Sequence, residues 1–354
     1  MIRTTIPKNI YYGNKSFEII EKLLHKYNSP LIFIDIYFEN KKNSLLNCLR
    51  TKKNNIIFVD TTHEPSTNLI DELTAKIKKK YSQTDCVVAI GGGSVLDIGK
   101  AVSIMIRNDG LASDYVGWDK VKNNALYKIG IPTLFGTGSE TTKTCVLLNK
   151  ENFLKLGINS SQSVFDEIIL DYSFLKTVPI NQLFYTGMDT FIHSFESLTG
   201  KYRNSFADSY SNMAIKLFRD SFQEETLYSD KSNSYLVSAS YFGGLGIASS
   251  YLGLVHPMSA ALSVVFGTKH CVSNCMVMRA MKDIYPEYYD EFWIYAKKFK
   301  INIPERLCAN LTDEQYNDLY KATIIHEKPL ENFYGENFKS ILTIDYLSKL
   351  FEKI

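Results

Sequence analysis

In the segment YTGMDTFIHSFE, Asp189 and His193 stand four residues apart. On a helix with roughly 3.6 residues per turn that spacing sets both side chains on one face, where they can share a cation or simply meet as a surface pair. More imidazoles are needed for an ion, and the chain has six histidines: His25, His63, His193, His256, His270 and His326. His256 lies in LGLVHPMSAALS, inside a stretch from Ser232 to Thr268 that has no formally charged residue. An imidazole buried there needs either a core partner or a metal. His270 follows fourteen residues later. One straight helix would carry it about 21 Å away at roughly 1.5 Å per residue. Pro257 suits a first helical turn and Gly267 a helix end, so a short helix and a chain reversal are expected between the two histidines. One carboxylate and three imidazoles make a mixed oxygen and nitrogen site suited to ferrous iron or zinc, and ligand type does not choose between them. An ion held at such a site would act as a Lewis acid toward a bound oxygen.

A second group of residues points to a dinucleotide. CVVAIGGGSVLDIGKAVSIM runs from a β-rich segment through glycines into a helical one. Gly91, Gly92 and Gly93 let a diphosphate approach the backbone, Ser94 is expected to cap a helix starting near Val95, and Asp97 is expected in its first turn. A glycine turn after a strand is also common without any nucleotide. IPTLFGTGSETT follows another strand and adds Thr133, Thr137, Ser139, Thr141 and Thr142. Two such loops at strand carboxyl ends suit one dinucleotide. Asp35 ends a further strand; its carboxylate can hold a ribose diol and repel a 2′-phosphate, favouring NAD over NADP, or can simply start a turn.

The elements that must position these residues divide into two kinds. LIFID, NIIFVD, CVVAI and IGIPT are short apolar runs separated by amphipathic stretches such as Thr67 to Lys80, the pattern of a parallel sheet with crossover helices. Beyond Pro179 the segments Gln182 to Leu198, Ser205 to Arg219 and Asn233 to Tyr251 read as helices. The chain is therefore expected to hold an α/β domain over 1–176 and an all-helical domain over 177–354.

The bulk properties fit a folded two-domain protein: 354 residues, 45% hydrophobic and 22% charged. A net charge of +2 gives no electrostatic reason to expect nucleic acid or an anionic membrane as partner. Lys41, Lys42, Lys52, Lys53 and Lys78 to Lys80 read as solvated loops and helix ends. Cys48, Cys86, Cys145, Cys271, Cys275 and Cys308 read as free thiols of a reducing cytosol, and the N-terminus lacks an apolar core of signal-peptide length. The uncharged stretch from Ser232 is broken by glycines, serines, Pro257 and His256, so it reads as buried helix rather than a membrane span.

The order DxxxH, LVH and a third histidine, with GGGSVLDIGK, PTLFGTGSETT, Lys155 to Ile158, Leu170-Asp171 and KHCVSN around it, resembles the iron-containing (group III) alcohol dehydrogenase family over nearly the whole chain. The resemblance implies a Rossmann-like N-terminal domain and a helical C-terminal domain of dehydroquinate synthase-like architecture, with a divalent ion and NAD(H) between them and a homodimeric assembly. It implies that Asp189, His193, His256 and His270 are the ion ligands, and that Gly92, Gly93, Ser94, Thr137 and Ser139 touch the cofactor, with Lys155 counted beside them. Asp35 matches the place associated with NAD preference, although the usual following glycine is absent. Many family members carry a second histidine four residues after the one matching His256, thought to serve proton transfer; here that position is Ala260.

The implied activity is interconversion of a primary alcohol and an aldehyde in the cytoplasm. The segments VHPMSAALSVVFGTKHCVSNC and LTDEQYNDLYKATIIHEKPLENFYGENFKSILT are similar to a subgroup that oxidises the terminal hydroxymethyl of 3-deoxy-D-manno-octulosonate (Kdo) ahead of amination in lipopolysaccharide biosynthesis, with NAD or oxygen as acceptor. For such a sugar acid Lys155 and Lys269 are candidates to meet the carboxylate, or are solvated lysines. The competing readings are a sugar-phosphate cyclase of the dehydroquinate synthase type, whose ligand set usually starts from a glutamate, and a glycerol or polyol dehydrogenase.

Overall fold

The computed structural model describes residues 4–40, 49, 55–149, 151, 152 and 154–354. Lys41, Lys42, Cys48, Lys52 and Lys53 fall outside the described residues. The chain divides into two compact units, one of Thr5–Asn152 with Leu156–Thr177 and one built on Val178–Ile354 with Leu154 and Lys155.

The first unit is α/β. Its strands are β1 (Asn9–Gly13), β2 (Pro30–Asp35), β3 (Asn55–Val59), β4 (Cys86–Gly91), β5 (Gly117–Trp118), β6 (Tyr127–Pro132), β7 (Thr144–Asn149), β8 (Leu154–Asn159, whose first two residues group with the other unit) and β9 (Glu167–Asp171). Six of them form a parallel sheet in the order β1-β9-β6-β4-β2-β3, and β5, β8 and β7 form a smaller one. Every residue of β4 is buried, as expected for a central parallel strand covered on both faces. The helices are α1 (Ile20–Leu24), α2 (Thr67–Lys80) and α3 (Gly93–Met105). The α2 helix starts where the Ser66 side chain accepts the Leu69 N–H, buries Ile70, Leu73 and Ile77 as one stripe, and ends on Lys78, Lys79 and Lys80. The α3 helix lies against β4 so closely that a Cβ at Gly99 would come within 2.6 Å of the Ala89 side chain.

The chain leaves β2 toward β3 on one side and returns to β4 on the other. This is the switch point at which open parallel sheets form a crevice beyond their carboxyl ends. Asp35 closes β2 and Gly91 closes β4, so both flank it.

The second unit is helical: α4 (Ile180–Thr199), α5 (Ser205–Gln223), α6 (Asp230–Ser249), α7 (Val255–Phe266), α8 (His270–Val277), α9 (Pro286–Lys298), α10 (Asp313–Ile324), α11 (Glu327–Tyr334), α12 (Phe338–Ile341) and α13 (Ile344–Phe351). The α4 helix is buried almost all round from Leu183 to Leu198 and packs against α5, α6 and α8. The uncharged stretch forms α6 and α7 rather than one long rod, and no described helix is long and apolar enough to cross a membrane.

Candidate metal centre and dinucleotide loops

Asp189 and His193 sit one turn apart on the inward face of α4, both buried. His256 is the second residue of α7, and that helix stops at Gly267, whose φ of +69° places it in the left-handed cap conformation. Three residues further on, α8 begins at His270. The reversal expected from Gly267 therefore occurs, and the His256 and His270 rings lie 5.4 Å apart by centroid. His193 stacks on His256 at 4.6 Å. Asp189 Oδ1 is 3.5 Å from His193 Nε2 and 3.3 Å from His256 Nε2, and Oδ2 is 3.8 Å from His270 Nε2. One donor atom from each of the four residues lies within 4.8 Å of all the others, a group able to hold a metal ion.

The electrostatics favour an ionised carboxylate among these rings. Burial works to raise the Asp189 carboxyl, but His193, His270 and His256 outweigh it and hold it well below the usual carboxylate range. Burial opposes protonation of His256 as well, yet Glu196 and Asp189 carry its pKa up to about 9. Asn274, one turn after His270 on α8, donates from Nδ2 to Asp189 Oδ1 at 2.7 Å. Cys271 Sγ lies 3.4 Å from Asp189 Oδ2, so this thiol borders the group. Cys275 is buried, and Cys86, Cys145, Cys271, Cys275 and Cys308 are free thiols. Ala260 is buried on α7.

The two small-residue loops meet in the α/β unit. A Cβ at Gly93 would lie 2.9 Å from Thr137 Oγ1, one at Gly92 3.3 Å from Leu134 Cδ1, and one at Gly91 3.4 Å from Asp35 Cβ. The Thr133 N–H donates to the Gly91 carbonyl at 2.9 Å. Asp35 is held in place, accepting from the Tyr37 N–H at 2.9 Å and from Thr61 Oγ1 at 2.8 Å. It therefore starts a turn while keeping its carboxylate at the switch point.

Two sequence expectations need correction here. Ser94 does not cap the helix: α3 begins at Gly93 with Gly92 as its cap, because the Gly92 carbonyl already accepts from the Val95 and Leu96 N–H groups. Asp97 consequently falls beyond the first turn, and its carboxylate is committed to Ser139 Oγ at 2.6 Å and the Val146 N–H at 3.0 Å, with Lys100 Nζ at 3.8 Å. Thr142 sets its hydroxyl 3.4 Å from Lys100 Nζ. Asp97 and Thr142 thus brace the loops from beneath, while Ser139 spends its hydroxyl on Asp97.

Sequence profiles supply the remaining observation. The profile of iron-containing alcohol dehydrogenases matches residues 7–172, and that of the C-terminal part of the same family matches residues 183–322. The chain belongs to the iron-containing alcohol dehydrogenase family. It is 31% identical to the sulfoacetaldehyde reductase of Bilophila wadsworthia over 212 residues, 59% of this chain and 54% of that protein. Against that relative it spans about half the length. It is 28% identical to the 4-hydroxybutyrate dehydrogenase of Clostridium kluyveri over 283 residues, 76% of this chain and 72% of that protein. The fold matches the sulfoacetaldehyde reductase of Bifidobacterium kashiwanohense, solved with NAD+, at a TM-score of 0.82 and 22% identity, over 99% of this chain and 98% of that one.

In this family member, several residues around the site went unread in the sequence. Glu196 lies three residues past His193, and the periodicity Asp189, His193, Glu196 on one helix face was the signal that could have found it. Its Oε2 lies 2.5 Å from His256 Nδ1. Asn274 carried the same kind of signal, one turn past His270. Lys155 is buried and groups with the helical unit. His326, before α11, has its pKa lowered to about 4 by burial and by the positive charges of Lys155 and His256. Lys269 is exposed at the start of α8.

Proposed function

We propose that the chain is a metal-dependent oxidoreductase that interconverts a primary alcohol and an aldehyde with NAD(H). The observation that carries this reading is the convergence of Asp189, His193, His256 and His270. Three imidazoles and one ionised, buried carboxylate are a donor set that fits ferrous iron or zinc. A divalent ion held by them supplies a Lewis acid for an alcohol or carbonyl oxygen. Asp189 offsets part of the ion's charge, and Asn274 holds that carboxylate by a hydrogen bond at 2.7 Å. Burial of Asp189, His193 and His256 keeps water from competing for the site.

Gly91, Gly92, Gly93 and Ser94 at the start of α3 take the cofactor diphosphate on backbone N–H groups. Thr133, Thr137 and Ser139 form the neighbouring loop, and Asp35 takes the adenosine ribose diol, which favours NAD over NADP. Asp97 and Lys100 act indirectly, by bracing that loop.

The substrate in this proposal carries an acid group. Two relatives are enzymes of sulfoacetaldehyde and of 4-hydroxybutyrate, both anions. Lys155 is the residue proposed to face that group, since it and His326 share an electrostatic neighbourhood with His256. Within this class the terminal hydroxymethyl of Kdo is the specific candidate. The 1,3-propanediol dehydrogenase of Klebsiella pneumoniae, 30% identical over 201 residues, 56% of this chain and 52% of that protein, favours the contrasting reading, an uncharged diol. A screen of Kdo, 4-hydroxybutyrate and 1,3-propanediol with NAD, NADP or oxygen as acceptor separates them. Acid-bearing alcohols should give the higher kcat/KM, and Lys155→Met should raise KM for them alone. Faster turnover of 1,3-propanediol overturns the acid-group reading.

A further inference from the structure

We infer that Glu196 is a positioning residue of the ion site, fixing through His256 Nδ1 which ring nitrogen that histidine presents to the ion and tightening the ion's hold. The inference rests on the ion-site reading above and extends it to a residue outside the donor set.

The geometry is specific. His256 turns Nε2 toward Asp189 Oδ1 at 3.3 Å and Nδ1 toward Glu196 Oε2 at 2.5 Å. A neutral imidazole that offers the Nε2 lone pair must carry its proton on Nδ1, and a carboxylate accepting that proton's hydrogen bond stabilises the required tautomer and makes Nε2 a stronger donor. Glu196 Oε1 accepts the Val255 N–H at 2.6 Å, from the residue just before His256. One carboxylate therefore holds both the ring and the backbone that carries it.

A purely structural role would be to cap α7, whose first turn has no side-chain cap of its own. The Val255 bond alone would satisfy that role. The second oxygen is spent on a ring nitrogen instead, and the ion pair it makes among the described residues is with His256. Glu196 is fully buried, so its charge has no solvent to settle in. The chain is also shaped around it: a Cβ at Gly253 would lie 2.9 Å from Glu196 Oε1 and 2.5 Å from Tyr285 Oη. Asp189, His193 and Glu196 thus use three successive turns of α4 for one centre, two residues pointing at the ion position and one reaching it through His256.

The test is zinc affinity, measured on purified full-length protein by competition with a chromophoric chelator. Glu196→Gln keeps the size of the side chain and an oxygen acceptor but removes the charge. It should weaken zinc binding by about 10–100-fold, the usual effect of losing such an outer partner. The cobalt-loaded variant should show a shifted ligand-field absorption band, and zinc should raise the variant's melting temperature by less than it raises the parent's. Zinc affinity and cobalt spectrum equal to the parent overturn the inference. If Glu196→Gln does not fold, ring-labelled histidine nitrogen spectra of the zinc-loaded parent decide: His256 should carry its proton on Nδ1, and a proton on Nε2 overturns the inference. A parent protein that binds no zinc, iron or cobalt would instead overturn the ion-site reading on which this one stands.

Discussion

Lys100→Met tests how the dinucleotide loops are held. The Lys100 ammonium is fully buried in α3 and donates to the carbonyls of Thr142 at 3.1 Å and Thr144 at 2.8 Å. Burial pushes its pKa down while Asp97 opposes; burial pushes the Asp97 carboxyl up while Lys100 and Ser139 oppose. Methionine keeps the length of the stem but leaves Asp97 buried without its cation. Breaking one side of a buried pair costs about 3–5 kcal/mol, a large part of a typical stability of about 5–15 kcal/mol. Asp97→Asn combined with Lys100→Met removes both charges, so the double variant should be more stable than Lys100→Met alone by at least ~1 kcal/mol. Urea unfolding followed by circular dichroism gives the three stabilities, and NAD titration should show weaker binding in Lys100→Met. A loss under about 1 kcal/mol in the single variant, below the range for a buried pair, would refute the reasoning.

Gly93→Ala would place a Cβ 2.9 Å from Thr137 Oγ1 and 3.1 Å from its Cγ2, forcing the two loops apart by a few tenths of an ångström. NAD affinity by calorimetry should fall about tenfold, or ~1.4 kcal/mol, within the range for overpacking; unchanged affinity would count against the shared floor. His326 has a folded pKa of about 4, below the free value of 6.5. The unfolded chain therefore takes up this proton first, so the stabilising effect is complete above the free value and is lost as pH falls through about 4. His326→Gln should flatten that acid loss by about 1–2 kcal/mol after allowance for its partial exposure, and parallel profiles for variant and parent would contradict it. Asn274→Ala removes the donor 2.7 Å from Asp189 Oδ1. It should cost about 1–3 kcal/mol in metal-free thermal unfolding, and an unchanged melting temperature would argue that the bond is idle.

Local signals were readable where the residues deciding an element are its own neighbours. Ser66 and the lysines 78–80 bracket α2, and Pro257 with Gly267 bracket α7 closely enough to bring His270 back beside His256. The start of α3 is not legible from GGGS alone because each of its residues can begin a helix, and the choice falls to the Gly92 carbonyl and the Val95 and Leu96 N–H groups that donate to it. Asp97 read as a helix-dipole residue, whereas its partners Ser139 and Val146 stand 42 and 49 residues away on a loop and strand that only the fold brings to it. Glu196 is a different case, since its position on the Asp189 face of α4 was legible and its use depends on Val255 and His256, about 60 residues on.

The central claim, that one ion held by Asp189, His193, His256 and His270 supports alcohol oxidation, is tested most directly by metal analysis and NADH formation on the same preparations of parent and His270→Ala. The parent should carry one equivalent of iron or zinc per chain and reduce NAD with an alcohol; His270→Ala should lose metal and turnover together. A His270→Ala protein that keeps full activity without metal would contradict the account.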